Sequence, residues 1–198
     1  LLSLVVFTVV LHGGFLFQYQ YGALSPFVNP EESVEILKRN NFKGRVFNAD
    51  RFGGYIIWKM YPFVQVSIDT RFINEQFFFE YLKVIENPRM LKRIVEKWDI
   101  EAVVLPIKYG GRYENLYNAL LEDSEWLLQY ADGDELLFTK ESFEKELDLT
   151  DPGVISRIEK QLRIKYMRSR KLTVEAIYRF RTFLAASGVT SGSQETEI

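Results

Sequence analysis

The sequence predicts an α/β fold: a small three-layer, mostly parallel sheet with a terminal antiparallel hairpin, followed by a helical hairpin. Three observations predict it. Between residues 30 and 140, helical and strand-like segments alternate, the pattern of strands joined by helical crossovers. The run Glu101-Ala102-Val103-Val104-Leu105 is apolar on both faces, as a central parallel strand is. Asp132-Gly133, set between two apolar runs, is a two-residue hairpin signal.

Each element has its own local reason. Asn29-Pro30-Glu31-Glu32 reads as a helix start: Asn29 caps, Pro30 fits the first turn and Glu32 closes a capping box. That helix runs to about Asn40 and closes on Asn41 and Gly44. Arg45–Asn48 is a short strand. Asp50 precedes an apolar helix through Gly53, Gly54 and Met60, stopped by Pro62. Val64–Asp69 is a second strand. A helical stretch from about Asn74 to Trp98 is divided at Asn87-Pro88, because proline fits the first turn of a new helix. Arg112–Leu121 is helical, and Trp126–Ala131 and Glu135–Thr139 form the hairpin. Thr150-Asp151-Pro152 opens a helix bearing Ile155, Ile158, Leu162 and Ile164, and Thr173 caps a last helix ending near Ser187-Gly188.

Composition narrows the chemistry. The 198 residues are 47% hydrophobic and 15% aromatic, enough apolar material for a packed core. The 25 basic and 27 acidic side chains nearly cancel, which argues against binding nucleic acid by bulk charge. With no cysteine, disulfides, thiol nucleophiles and cysteine-ligated metals are excluded. The single histidine, His12, sits in an apolar run, so a multi-histidine metal site is excluded too.

That run, residues 1–17, has nearly the length of a bilayer-crossing helix, and it reads as the end of a transmembrane helix. The following flank has Tyr19 and Tyr21 but no Lys or Arg before Lys38, which points to the extracytoplasmic face. The expected organisation is therefore a membrane segment (1–17), a linker (18–29), an α/β domain (30–140), a helical hairpin (141–188) and a tail (189–198). Residues 157–181 carry nine basic and two acidic side chains, a candidate docking face for an acidic partner or anionic lipid.

The candidate site is the string Asn48-Ala49-Asp50-Arg51-Phe52-Gly53-Gly54-Tyr55, together with Asp69-Thr70-Arg71. Asn48, Asp50, Asp69 and Arg71 fall at the carboxyl ends of the first two strands, and Pro106 and Lys108 at that of the third. In an open parallel sheet those ends share one edge, where ligands bind. Two readings stand open. In one, Gly53 and Gly54 leave helix-start N–H groups uncovered for an anion, with Asn48 and Arg71 as hydrogen-bonding groups and Asp69 orienting Arg71. In the other, Asn48 or Asp50 caps the helix, the glycines permit close packing, and Asp69 pairs with Arg51 or Arg71.

The pattern Asn48…Gly53-Gly54-Tyr55…Trp58…Pro62…Asp69-Thr70-Arg71 resembles one found in polytopic bacterial membrane proteins related to GT-C, protein-mannosyltransferase-like glycosyltransferases. Thr70 stands where that pattern has Gly. The resemblance covers roughly residues 1–140 and implies an extracytoplasmic domain that follows the last membrane helices. It further implies a lipid-phosphate-linked sugar as donor, with a carboxylate in an early outer loop acting as base or as ligand of a divalent metal. Those loops precede this domain. On this reading residues 1–198 hold no catalytic residue and no cofactor. They brace their own transmembrane domain or shape its acceptor site, and they bind no nucleic acid. Two alternatives are a docking module of a membrane-anchored protein and a soluble sugar-processing enzyme using Asp50 and Asp69 as paired carboxylates.

Overall fold

A computed structural model describes residues 29–71, 75–107, 112–141, 143, 148–167 and 169–188. The apolar run 1–17, the linker to residue 28, Lys108, Arg168 and the tail 189–198 lie outside the described residues. The element order is α1 (Glu31–Arg39), β1 (Gly44–Asn48), α2 (Asp50–Met60), β2 (Val64–Val66), α3 (Glu75–Glu86), a 3-10 turn (Pro88–Met90) and α4 (Leu91–Trp98). It continues with β3 (Ile100–Pro106), α5 (Glu114–Glu122), β4 (Leu127–Ala131), β5 (Glu135–Thr139), α6 (Pro152–Lys165) and α7 (Arg170–Ala186).

The five strands form one sheet in the order β2-β1-β3-β5-β4. β1 pairs in parallel with β2 and β3, while β5 runs antiparallel to both β3 and β4. The expected class is therefore the observed one. β3 is central and its apolar side chains are buried, as its two-faced pattern requires. α1 packs on α2, α3 packs on α4 and α5, and α1, α2 and α4 contact strands of the sheet. Phe47 of β1 stacks on Tyr81 of α3 with ring centroids 5.2 Å apart, inside the core.

Several element details differ from the expectation, each for a tertiary reason. β2 is three residues long: Ser67 N–H still donates to Val46 O at 2.9 Å but is shared with the Asn48 side chain, which also takes Ile68 N–H. Neither Asn29 nor Glu32 caps α1; Pro30 holds the cap position without a side-chain bond. The carboxylate of Glu135, more than a hundred residues away, instead accepts from the Glu32 and Ser33 N–H groups at 3.2 and 3.1 Å. At the hairpin, Asp132 N–H donates to Glu135 O, so the two-residue tip is Gly133-Asp134 rather than Asp132-Gly133. α7 begins at Ser169, which accepts from Leu172 N–H, while the Thr173 hydroxyl turns back to Tyr166 O and Ser169 O. Ile158 and Leu162 of α6 are buried as expected, but Ile164 is 60% exposed. Asn87 divides the long helical stretch by accepting from Arg89 N–H, and Asp151 caps α6 through Gly153 N–H.

Candidate functional site

The carboxyl ends of β1, β2 and β3 do share one edge. Asn48 ends β1, and Asp69 and Arg71 lie just beyond β2. The β4–β5 turn reaches the same edge, since Glu135 pairs with Pro106 at the end of β3. Two groups of polar residues result, one predicted from sequence and one not.

The predicted group is bonded inward. Asn48 is fully buried, and its amide N–H groups donate to Ala49 O at 2.8 Å and Ile68 O at 2.7 Å. Its amide oxygen accepts from Ser67 N–H at 3.0 Å. Asn48 therefore stitches β1 to the segment after β2 and has no amide hydrogen left for a ligand. The start of α2 is equally occupied. Ala49 N–H donates to Val104 O, and Phe52 N–H donates to Ala49 O. Asp50 N–H donates to the Tyr81 hydroxyl at 3.3 Å, and Arg51 N–H to Asp50 Oδ1 at 2.9 Å. The Tyr81 hydroxyl meets that of Tyr113 at 2.8 Å; burial, first of all, pushes both phenols up. An anion at this helix start would have to displace these partners.

Gly53 and Gly54 have different roles. A Cβ on Gly53 would lie 2.0 Å from Ile68 O and 2.9 Å from Asp69 Cα, so this glycine lets the loop lie directly on α2. A Cβ on Gly54 would meet nothing within 4 Å. Tyr55 is partly buried, edge-on to Trp58, and Trp58 is 72% exposed beneath the Lys59 ammonium.

Asp69 pairs with Arg71. Its Oδ1 accepts from Arg71 N–H at 2.8 Å, and its Oδ2 takes the guanidinium through Nε at 2.9 Å and a second Nη contact. The bond to the Arg71 side chain holds the Asp69 carboxyl below its ordinary range. Asp69 is nearly covered and Arg71 exposed, with side-chain exposures of 11% and 64%. Asp50 Oδ2 lies 3.8 Å from Arg112 on the approach to α5.

The second group lies where the sequence pattern predicts only a turn. Asp132, Asp134 and Glu135 are all buried. Asp132 Oδ1 accepts from the N–H groups of Asp134 and Glu135 at 2.7 and 2.8 Å, and its Oδ2 accepts from the Tyr130 hydroxyl at 3.1 Å. Asp134 receives Arg179 of α7 at 2.8 Å, Lys165 of α6 at 3.0 Å and the Tyr166 hydroxyl. Arg179 Nε also donates to Gly133 O at 2.7 Å. A Cβ on Gly133 would lie 2.0 Å from Ala176 O, so the turn tip touches the α7 backbone. The available signal was Asp132-Gly133-Asp134-Glu135 itself: three acids in four residues is unusual at a plain hairpin tip.

These contacts also redistribute the basic charge of residues 157–181. Lys165 and Arg179 turn inward, and Arg181 pairs with Glu159 at 2.7 Å. Arg157, Lys160, Arg163, Arg170 and Lys171 lie at the surface. Neither Asp50 nor Asp69 lines the clefts of about 270, 540 and 240 Å³ found beside Arg45, Trp126 and Tyr130. Among the described residues no three His, Cys, Asp or Glu side chains converge to hold a metal ion, and no helix is long and apolar enough to cross a membrane. Comparison with protein-family models, curated proteins and solved structures finds no match.

Proposed function

We propose that this chain is a non-catalytic extracytoplasmic domain of an integral membrane glycosyltransferase that draws on a lipid-phosphate-linked sugar. Its role is to brace the membrane domain or to shape the acceptor side. One observation carries the non-catalytic part: the N–H groups at the start of α2 and the Asn48 amide are bonded within the chain. Such a signature preserves a shape rather than performing a reaction. The membrane and glycosyltransfer parts rest on the apolar run 1–17 and on the sequence resemblance.

The test has two arms. The chain by itself, given a polyprenyl-phosphate sugar and a divalent metal, is expected to show no turnover. Turnover lost in Asp50→Asn or Asp69→Asn would replace this reading with that of a carboxylate enzyme. In the full-length membrane protein, Asn48→Ala is expected to reduce sugar transfer in step with the loss of folded domain. Full transfer by a protein whose domain is unfolded would overturn the bracing role.

A further inference from the structure

The buried group at the β4–β5 turn is unbalanced in charge. It brings three carboxylates, Asp132, Asp134 and Glu135, against two cations, Lys165 and Arg179. Asp134 meets both cations, and Asp132 lies 3.9 Å from Lys165. Glu135 has no ion pair among the described residues; two N–H groups of α1 are its hydrogen-bond donors. A buried anion without a counter-charge is costly, and taking up a proton is the usual relief. The Ser33 hydroxyl, buried and without a well-formed hydrogen bond, lies beside Glu135 and on its own favours the ionised carboxylate, as does the Ser33 N–H.

Both cations and the Tyr166 hydroxyl belong to α6, α7 and the turn between them, whereas the three acids belong to the sheet. The group therefore spans the joint between the helical hairpin and the α/β domain. We propose that it is a proton-operated latch: one proton held among the three carboxylates balances Lys165 and Arg179 and keeps α6–α7 fastened, and loss of that proton loosens them.

The neighbouring charges favour this sense. Burial, and next the charge of Asp132, push the Glu135 carboxyl up to about 8; the Ser33 side chain, the attraction of Lys165 and the Ser33 N–H oppose this, and each ranks below both. Burial likewise pushes Asp132 up to about 6, with Lys165 lowering it and Asp134 raising it. Burial also acts on Asp134, but Lys165, Tyr166 and Arg179 outweigh it and hold that carboxyl low. Lys165 is raised: burial works against its charge, and Asp132, Asp134 and Glu135 overcome it. Burial raises the phenols of Tyr130 and Tyr166 beyond the working range, and Tyr55 of α2 is raised too. Glu31 and Glu32, at the start of α1, add negative charge on the same side. Opening the hairpin admits water to all three acids, so an ionised Glu135 favours the open form.

Hydrogen exchange of the full chain tests this, corrected for intrinsic rates and run at about pH 6 and about pH 8. Amides of α6 and α7 should lose protection by up to roughly tenfold per pH unit, while those of β1 and β3 should not. In Glu135→Gln the α6–α7 protection should be the same at both pH values. The latch is refuted if wild-type α6–α7 protection is flat, if β1 and β3 lose protection equally, or if Glu135→Gln responds as wild type does. Should that variant not fold, infrared difference spectra of the wild type decide. A protonated-carboxyl band present at about pH 6 and titrating away as pH rises through about 8 supports the latch, and its absence at about pH 6 overturns it.

Discussion

At the scale of single residues, the signature is a set of packing and bonding constraints with unequal consequences. Asn48→Ala strips the buried bonds to Ile68 O and Ile68 N–H and leaves Ser67 N–H with Val46 O alone. The expected loss is about 2–3 kcal/mol, read from urea unfolding with unchanged m-value. The adjacent glycines should respond with opposite signs. Gly53→Ala drives a methyl into Ile68 O and should cost about 2 kcal/mol or more. Gly54→Ala meets open space within α2 and should leave stability unchanged or raise it by up to about 1 kcal/mol. A shared response of the two variants in thermal unfolding would refute this division of roles.

At the scale of elements, long-range partners replace local ones. Asn29 has the residue type and the position of a cap, and such a residue replaced by alanine ordinarily costs about 1 kcal/mol. Because Glu135 serves the α1 N-terminus instead, Asn29→Ala should shift stability by less than about 0.5 kcal/mol. A loss of the ordinary size in chemical denaturation would return the cap to Asn29. The same carboxylate thus joins α1 to β5, while its neighbour Asp134 joins β5's turn to α6 and α7. The β4–β5 turn is the point where α1 and the α6–α7 hairpin meet the sheet. It is also why the basic helical pair presents fewer outward charges than its sequence implies.

At the scale of the whole molecule, these ionisations set the pH dependence of stability. Glu135 and Asp132 have folded-state values raised to about 8 and about 6. Their contribution is therefore complete below the ordinary carboxylate range and is lost as pH rises through those values. Asp69 and Asp134 are lowered, so theirs is present above the ordinary range and lost as pH falls through their folded values. The melting temperature should peak near about pH 5 and decline toward both about pH 3 and about pH 8. A plateau extending through about pH 8 in scanning calorimetry would contradict the upper half of this profile. Most of the architecture was legible beforehand: the helix–strand alternation, the two-faced β3, the division at Asn87-Pro88, the cap at Asp151 and the final hairpin each have a local cause. The candidate edge was legible as a place, because parallel strands bring their carboxyl ends together. Its use was not. That Asn48 reaches Ile68, that Tyr81 occupies the start of α2, and that Asp69 chooses Arg71 over Arg51 depend on which segments the crossovers lay side by side. Periodicity and the order of elements depend on neighbours within a few residues, so they can be read from the amino-acid order, and the hairpin can be placed to within one residue. That the three acids of the hairpin tip are buried, two against α6–α7 and Glu135 against α1, follows from tertiary contacts alone. Burial and ion pairing are set by contacts between residues dozens of positions apart, and one-dimensional spacing does not encode them.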